Sequence, residues 1–227
     1  ICRMMQRILY IFILSILSFK ISLAEEIPVI VISPGKALQS IGTVGSDVSV
    51  ITEKDIKSSS KFFLSDVVSD NVIGTHFSRQ GGTGTNSLFQ VRGLPKRYTN
   101  VYIDGVKMSD PSTPDNSFYF NNLTLNGVKQ IEVLKGNQSS LYGSGAIGGT
   151  INIYTKTSDS NTLNQNFNIF TGSNNLKNVS LSFDQKINNF DYYFGLNKYI
   201  TDGISAMRHN DENDSYRNDN AVLNIGY

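Results

Sequence analysis

Hydrophobic and polar residues alternate along the last third of the chain, residues 157–227. The alternation is clear in segments 179–183, 190–196 and 221–227, and weaker in 167–170. Because successive side chains of a strand point to opposite faces, each segment has one apolar and one polar face. The pattern therefore predicts four antiparallel strands of one sheet.

The connections between these strands alternate in length. Asn188-Asn189 is suited to a two-residue turn with positive φ, whereas residues 201–219 form a long polar loop. Short turns at one end and long loops at the other are typical of outer-membrane barrels. A soluble sandwich is the alternative, since its strands alternate in the same way.

The N-terminus favours the barrel because it has the pattern of an export signal. Arg3 and Arg7 precede an uncharged apolar run, residues 8–19, and small residues at Ser22 and Ala24 fit a cleavage site. The run is shorter than the roughly 20 residues of a membrane-spanning helix. We expect residues 1–24 to be removed. Because four strands cannot close a barrel, we also expect the chain to be the N-terminal part of a longer protein.

Residues 25–156 have a different pattern, which predicts an α+β domain rich in glycine. Thr52 to Asp55 has the composition of a capped helix start, and a second helix is predicted over 62–69. The predicted strands are 46–51, 88–93, 100–105, 131–136 and 150–154.

The glycines of segment 143–148 formally match a dinucleotide-binding fingerprint. That fingerprint requires a helix after the glycines, whereas a β-rich segment, 150–154, follows here. We therefore predict that these glycines permit tight turns and close backbone approach.

Composition excludes several functional classes. The net charge of +1 gives no basic excess for nucleic acid, and one cysteine allows neither an internal disulfide nor a cysteine-based zinc site. His76 and His209 are the only histidines, and neither has a recognisable nucleophile beside it. No catalytic residue is predicted, and we expect the protein not to be an enzyme.

Three segments carry a family resemblance: QVRG at 90–93, VYIDGV at 101–106 and IEVLKGNQSSLYGSGAIGGTINIYTK at 131–156. They resemble the plug domain of TonB-dependent outer-membrane receptors, which implies a plug seated in a barrel of about 22 strands. The resemblance implies a signal peptide (1–24), a TonB box with linker (25–40), a plug (41–156) and the start of the barrel (157–227).

The resemblance also implies partners in the cell envelope. In the family, TonB adds a strand to the box and uses the inner-membrane proton gradient to pull on the plug. The box would comprise Ile27, Pro28, Val29, Ile30, Val31, Ile32 and Ser33. The alternative for this segment is a short internal edge strand.

Within the family, the chain is most similar to cobalamin transporters, which implies that it carries cobalamin (vitamin B12) or another bulky ligand across the outer membrane. A ferric-siderophore receptor is the alternative within the family, and a soluble periplasmic binding module is the alternative outside it. The candidate substrate-binding residues are small or polar: Gln80, Thr85, Asn86, Ser87, Asp110, Ser112 and Thr113.

Two further sets of charged residues are candidates. Calcium, the one possible cofactor, prefers several oxygen ligands, and the resemblance implies such a site in an acidic loop. Its candidate ligands are Asp211, Glu212, Asp214 and Asp219, with a solvated loop as the alternative. Because buried charges need partners, a second set is predicted to pair plug with barrel. Its members are Arg92, Asp104, Glu132 and Lys135, with solvent exposure as the alternative.

Overall fold

The computed structural model describes residues 29–115, 117–205, 207 and 212–227. The proposed signal peptide, Ile27, Pro28, His209 and Asp211 lie outside the described residues. The strands are β1 (Ile30–Val31), β2 (Gln39–Ser40), β3 (Asp47–Ile51), β4 (Thr75–Arg79), β5 (Ser87–Val91), β6 (Thr99–Ile103), β7 (Val106–Met108), β8 (Val128–Lys135), β9 (Gly149–Thr155), β10 (Asn164–Thr171), β11 (Lys177–Ile187), β12 (Phe190–Thr201) and β13 (Tyr216–Gly226). The α-helices are α1 (Glu53–Ser58), α2 (Leu64–Asn71) and α3 (Ser139–Tyr142), and single 3₁₀ turns occupy Ile41–Thr43 and Lys96–Tyr98.

No helix among the described residues combines the length and the apolar character that crossing a membrane would require.

A five-stranded sheet with the order β3-β8-β9-β6-β7 forms the centre of the first domain. Its pairs are antiparallel except β6 with β9, which run parallel. The apolar face of this sheet packs with α1, α2 and the β4–β5 hairpin around one core. The fully buried side chains of that core include Ile51, Leu64, Val67, Phe89, Ile131, Val133, Ile151 and Ile153.

Helix α1 begins where the sequence predicts, for the predicted reason. The Thr52 side chain accepts a hydrogen bond from the Asp55 amide, and the Asp55 carboxylate accepts from the Thr52 amide at 2.8 Å. This reciprocal capping box satisfies two amides that have no partner within the helix. Helix α2 begins two residues after its predicted start.

The glycines of segment 143–148 make turns, as predicted, and strand β9 follows them instead of a long helix. Gly143 and Gly145 have φ of 78° and 91°, a region that favours glycine. At Gly149, the first residue of β9, a side-chain carbon would overlap the Leu134 carbonyl oxygen. The close approach of β8 and β9 therefore requires glycine there.

Strands β10 to β13 form a separate antiparallel sheet in sequence order, which we call the wall. The turn between β11 and β12 is at Asn188-Asn189, and Asn188 has φ of 57°, as its sequence predicts. Strand β13 begins at Tyr216, so the long loop spans residues 202–215 and is shorter than predicted. Asp219 therefore lies on a strand.

One face of this sheet is an exposed apolar stripe. Register places Ile169 opposite Val179, Leu181 opposite Leu196, and Phe194 opposite Leu223. Leu223 and Ile225 are each 63% exposed, whereas Asn220 and Asn224 on the same strand face the first domain. The alternation that the sequence predicts is therefore realised, with the polar face inward.

Candidate functional site

The four-stranded sheet packs against the first domain through aromatic rings. Phe62 and Phe63 precede α2, and their ring centroids lie 5.0 Å from Phe170 and 5.1 Å from Tyr199. Tyr199 is buried, and Tyr216 lies 6.0 Å from both Phe63 and Tyr199. These edge-on contacts join the domain to the end of the sheet that bears the long loop.

Neutral hydrogen bonds add to this contact, beside the Lys156 ammonium, which lies 5.6 Å from the Tyr193 ring centre. The Asn126 amide donates to the Asn220 side-chain oxygen at 2.9 Å, and the Tyr193 hydroxyl donates to Asn126 at 3.3 Å. The Tyr216 hydroxyl donates to Asn122 at 2.8 Å, and Asn224 donates to the Lys156 carbonyl at 2.9 Å. Asparagine therefore supplies much of the polar face, which accounts for part of the 15 Asn in residues 157–227.

The four residues predicted to pair the two domains through charge have partners among residues 29–155, and their pairing with further barrel strands stays a prediction. Arg92 and Lys135 both bind Asp47, at 2.9 and 3.0 Å. Asp104 accepts hydrogen bonds from the Thr155 amide and hydroxyl. Glu132 accepts from backbone amides, as described below. These contacts lie inside the first domain, except those of Glu132 with segment 30–33.

The hydrogen bond from Lys135 holds the pKa of the Asp47 carboxyl below its usual range, and Arg92 contributes in the same direction. Asp47 is the first residue of β3 and Lys135 is the last of β8. These charges therefore reinforce the pairing of two strands within the sheet.

The candidate substrate residues at 80–87 form the tip of the β4–β5 hairpin. The backbone amide of Gln80 donates to the backbone carbonyl of Asn86 at 3.0 Å, and the Thr85 hydroxyl donates to the Gly82 carbonyl at 2.8 Å. The Ser87 hydroxyl donates to Asn121, and Asn86 accepts from the Tyr119 hydroxyl at 3.2 Å. The tip is thus tied to segment 119–121, next to the sheet.

The same tip touches the four-stranded sheet. Gly84 has φ of 86°, and a side-chain carbon there would overlap the Tyr216 ring. Gly82 lies near the carbonyl of Asp214, in the long loop. The hairpin tip and loop 202–215 therefore share one end of the molecule.

Asp110, Ser112 and Thr113 form a separate turn. The Asp110 carboxylate accepts from the Ser112 amide at 2.9 Å and from its hydroxyl at 2.6 Å, and these bonds lower the pKa of the exposed Asp110 carboxyl. The Thr113 hydroxyl donates to the Asp110 carbonyl at 2.9 Å. Tyr119 extends this region toward the hairpin tip, with the Lys96 ammonium 4.3 Å from its ring centre.

The candidate calcium ligands are not gathered into one cluster among the residues that are described. Glu212 and Asp214 lie in the loop before β13. Asp219 instead lies on β13 and binds Arg217 at 2.6 Å and Lys198 at 3.4 Å. The Asp219 carboxylate is thus engaged by two cations in this structure, and its role as a metal ligand stays a prediction.

The candidate partner-binding segment is docked on the first domain. Strand β1 pairs with β2, Val31 and Ser33 are fully buried, and Ile30 is 44% exposed. The Glu132 carboxylate accepts from the amides of Ile32 at 3.0 Å and of Ser33 at 2.7 Å. The segment is therefore an internal strand here, the alternative that the sequence leaves open.

Two tyrosines complete this docking. The Tyr142 hydroxyl donates to the Ser33 carbonyl at 2.7 Å, and Tyr154 and Ser33 share a hydroxyl hydrogen bond of 3.1 Å. Burial raises the pKa of Tyr154 to about 12, and the nearby Glu132 charge adds to this. Burial likewise raises the pKa of Tyr142.

The sequence profile of the TonB-dependent Receptor Plug Domain matches residues 40–150, the segment that contains the central sheet apart from most of β9. Residues 40–150 are a TonB-dependent receptor plug domain. The match includes the hairpin tip, the 110–113 turn and Glu132, whereas the docked segment 30–33 precedes it.

Curated relatives of this chain include two vitamin B12 transporters named BtuB. The Vibrio cholerae protein is 31% identical over 133 residues, and the Vibrio vulnificus protein is 29% identical over 131 residues. These alignments cover 59% and 58% of this chain. The chain spans about a fifth of each relative, 21% in both cases.

Solved structures share the fold of the plug and the four strands. The siderophore receptor PiuA of Acinetobacter baumannii matches 82% of this chain and 25% of its own, with a TM-score of 0.65 and 21% identity. The ferripyoverdine receptor of Pseudomonas aeruginosa matches 78% of this chain and 23% of its own, with a TM-score of 0.66 and 18% identity. The fold is therefore a plug followed by strands of a transmembrane β-barrel.

Sequence reasoning missed the asparagines that join plug and wall. It also missed Tyr142 and Tyr154 as partners of segment 30–33. The inward-facing register of Asn218, Asn220 and Asn224 was a usable signal, since period-two spacing puts them on one face. No local signal connects Ser33 with Tyr142, because they are 109 residues apart.

Proposed function

We propose that this chain supplies the plug and part of the wall of a TonB-dependent transporter in the bacterial outer membrane, and not an enzyme. One observation carries the proposal. The wall strands turn their asparagines toward the plug and an apolar stripe outward, with Leu223 and Ile225 each 63% exposed. Such a stripe suits lipid, and a soluble binding module gives no reason for it.

The proposed ligand-binding region and the proposed TonB-binding segment lie at opposite ends of the plug, which agrees with directional transport. The hairpin tip and loop 202–215 share the end with the long connection, where a bulky ligand would arrive. Segment 30–33 contacts β8 and β9, and β9 runs from Tyr154 toward the short-turn end of the wall. TonB would therefore engage the opposite end of the plug from the ligand and supply the work for release.

Cobalamin is the substrate that we propose. Two curated relatives, at 31% and 29% identity, are vitamin B12 transporters. The siderophore receptors among the solved structures are only 21% and 18% identical to this chain. They share its fold, but their ligands do not indicate which ligand this chain binds. A ferric siderophore is the second candidate, since neither the tip nor the 110–113 turn excludes it.

Calorimetry of the full-length protein in detergent tests the substrate. Cyanocobalamin is expected to bind, with a matched titration of a ferric siderophore giving no heat. The Asn86→Ala variant should weaken binding relative to Lys129→Ala, a change on the plug surface at β8. Binding of the siderophore alone would overturn the cobalamin assignment and leave the receptor fold intact.

We also propose that loop 202–215 binds calcium, with Glu212 and Asp214 among its ligands. Carboxylates near a ligand-binding end suit a hard cation that orders the loop. Cobalamin titrations with and without a calcium chelator test this. Affinity should fall in chelator and recover with added calcium, and an affinity unchanged by chelator would contradict the proposal.

A further inference from the structure

The docked segment uses both of its backbone edges. The Val29 carbonyl accepts from the Ile41 amide, so residues 29 and 31 direct their backbone groups to β2. Ile30 and Ile32 direct theirs to the other side. There the Gln130 side chain donates to the Ile30 carbonyl at 3.0 Å and Glu132 accepts from the Ile32 amide.

A strand with both edges occupied has no free row of donors and acceptors for a partner strand. Addition of another chain to residues 30–33 therefore requires either β2 or the Gln130–Glu132 edge to separate. The β2 pairing involves only two residues of each strand. The second edge contains charge-assisted hydrogen bonds, which are about twice as strong as neutral ones.

Glu132 is the centre of that second edge. It is fully buried in the middle of β8, and it accepts from two backbone amides and from Gln130 at 2.7 Å. The salt bridges of the described residues do not include it. Removal of segment 30–33 would therefore leave a buried carboxylate without two of its donors, which is costly.

We propose that Glu132, with Tyr142 and Tyr154, is a catch that keeps residues 30–33 closed to strand addition. Opening of the catch at Ser33 is the step that makes the segment available to TonB. The proposal relies on the proposed function only for the identity of the partner. The docking itself is measured without a partner or a substrate.

Thiol labelling of the full-length protein in outer membranes tests the catch. A cysteine at the buried Val31 should react slowly in the parent protein. It should react about tenfold faster or more in Glu132→Ala, and faster in Glu132→Gln, because local opening governs access and the lost bonds are charge-assisted. Glu53→Ala, which removes a partly exposed carboxylate on α1 that pairs with Lys57 and Lys156, is the matched control and should leave the rate unchanged.

A cysteine at Val91, buried in the plug core, reports general unfolding of the plug. Faster labelling at residue 31 without faster labelling at residue 91, in either Glu132 variant, supports the catch. The proposal is overturned if neither variant accelerates residue 31 more than residue 91. The labelling rates do not depend on transport. Failed uptake in a protein whose catch behaves as expected would therefore contradict the proposed function and not the catch.

Discussion

The interior of the plug and its contact with the wall are held by different forces. The interior is an apolar core of fully buried residues such as Phe89, Ile131 and Ile151. The contact with the wall combines aromatic edges with neutral hydrogen bonds of Asn122, Asn126 and their partners. Hydrogen-bonding groups can exchange partners with water at small net cost, whereas core side chains cannot.

In the function proposed above, this difference suits a plug that stays folded at rest and yet parts from its wall. The sequence predicts charge pairs across the contact, and these would resist separation of plug and wall more strongly than neutral hydrogen bonds do. In the structure those charges reinforce strands inside the plug, as Asp47 does with Lys135. The following predictions test whether the core is strong and the contact weak.

The largest effect is expected from Phe89→Ala. This ring is 1% exposed and lies 4.4 Å from the Phe120 ring centre, so truncation should destabilise the plug by about 3–5 kcal/mol. The neighbouring Leu88 points to the opposite face and is 42% exposed, so Leu88→Ala should cost about 0.5 kcal/mol or less. Hydrogen exchange of β8 amides in the full-length protein measures both, and equal costs would contradict the assigned core.

A smaller effect is expected from Gly84→Ala at the hairpin tip. The new methyl group would meet the Tyr216 ring, and the residue would have to keep φ of 86°. We expect a local cost of about 1–3 kcal/mol, measured by exchange of amides in residues 80–87. Gly74→Ala is the matched control, since it has the same φ of 86° and open space around it. Identical costs would show that the contact with Tyr216 contributes nothing.

The contact itself should be weak. A double-mutant cycle with Asn126→Ala and Asn220→Ala should give a coupling energy of about 1 kcal/mol, the usual net value of a neutral hydrogen bond. The measurement is the stability of the plug against denaturant in the full-length protein. A coupling above about 3 kcal/mol would mean that the contact is as strong as the core and would remove the contrast.

The smallest effect concerns alkaline pH at the docked segment. Because the pKa of Tyr154 is raised to about 12 from 10, its protonated hydroxyl favours docking fully below pH 10. This contribution should be lost as pH rises from 10 through 12, when a tyrosinate would face Glu132. A spin label at the half-exposed Ile30 should become more mobile over that range. If the spin label became equally mobile over this pH range in Tyr154→Phe, the effect would come from another titrating group, such as Tyr142.

The sequence pattern correctly predicted those structural features that depend on residues close together in the chain. Period-two alternation gave the four wall strands, and Thr52 with Asp55 gave the start of α1. The glycines at 143–149 were correctly separated from a nucleotide site because a strand follows them. These features depend on residues a few positions apart, so a single sequence contains the signal.

Contacts between distant segments could not be predicted in this way. The charge of Arg92 alone does not predict whether it pairs with Asp47 or with a barrel residue, because a carboxylate in either place would neutralise the guanidinium. The start of β13 was placed too late because Tyr216 to Asn220 is polar enough to read as loop, although Tyr216, Asn218 and Asn220 face the plug. The roles of the substrate candidates and of Glu212 and Asp214 remain predictions.

Uptake of radiolabelled cyanocobalamin most directly tests the central claim, that this plug closes a TonB-driven path for cobalamin. The full-length protein would be expressed in cells that lack their own cobalamin transporter, with and without TonB. The account predicts accumulation only when both proteins are present, with competition by unlabelled cobalamin and none by a ferric siderophore. Accumulation that is independent of TonB, or none with TonB and a correctly inserted protein, would contradict it.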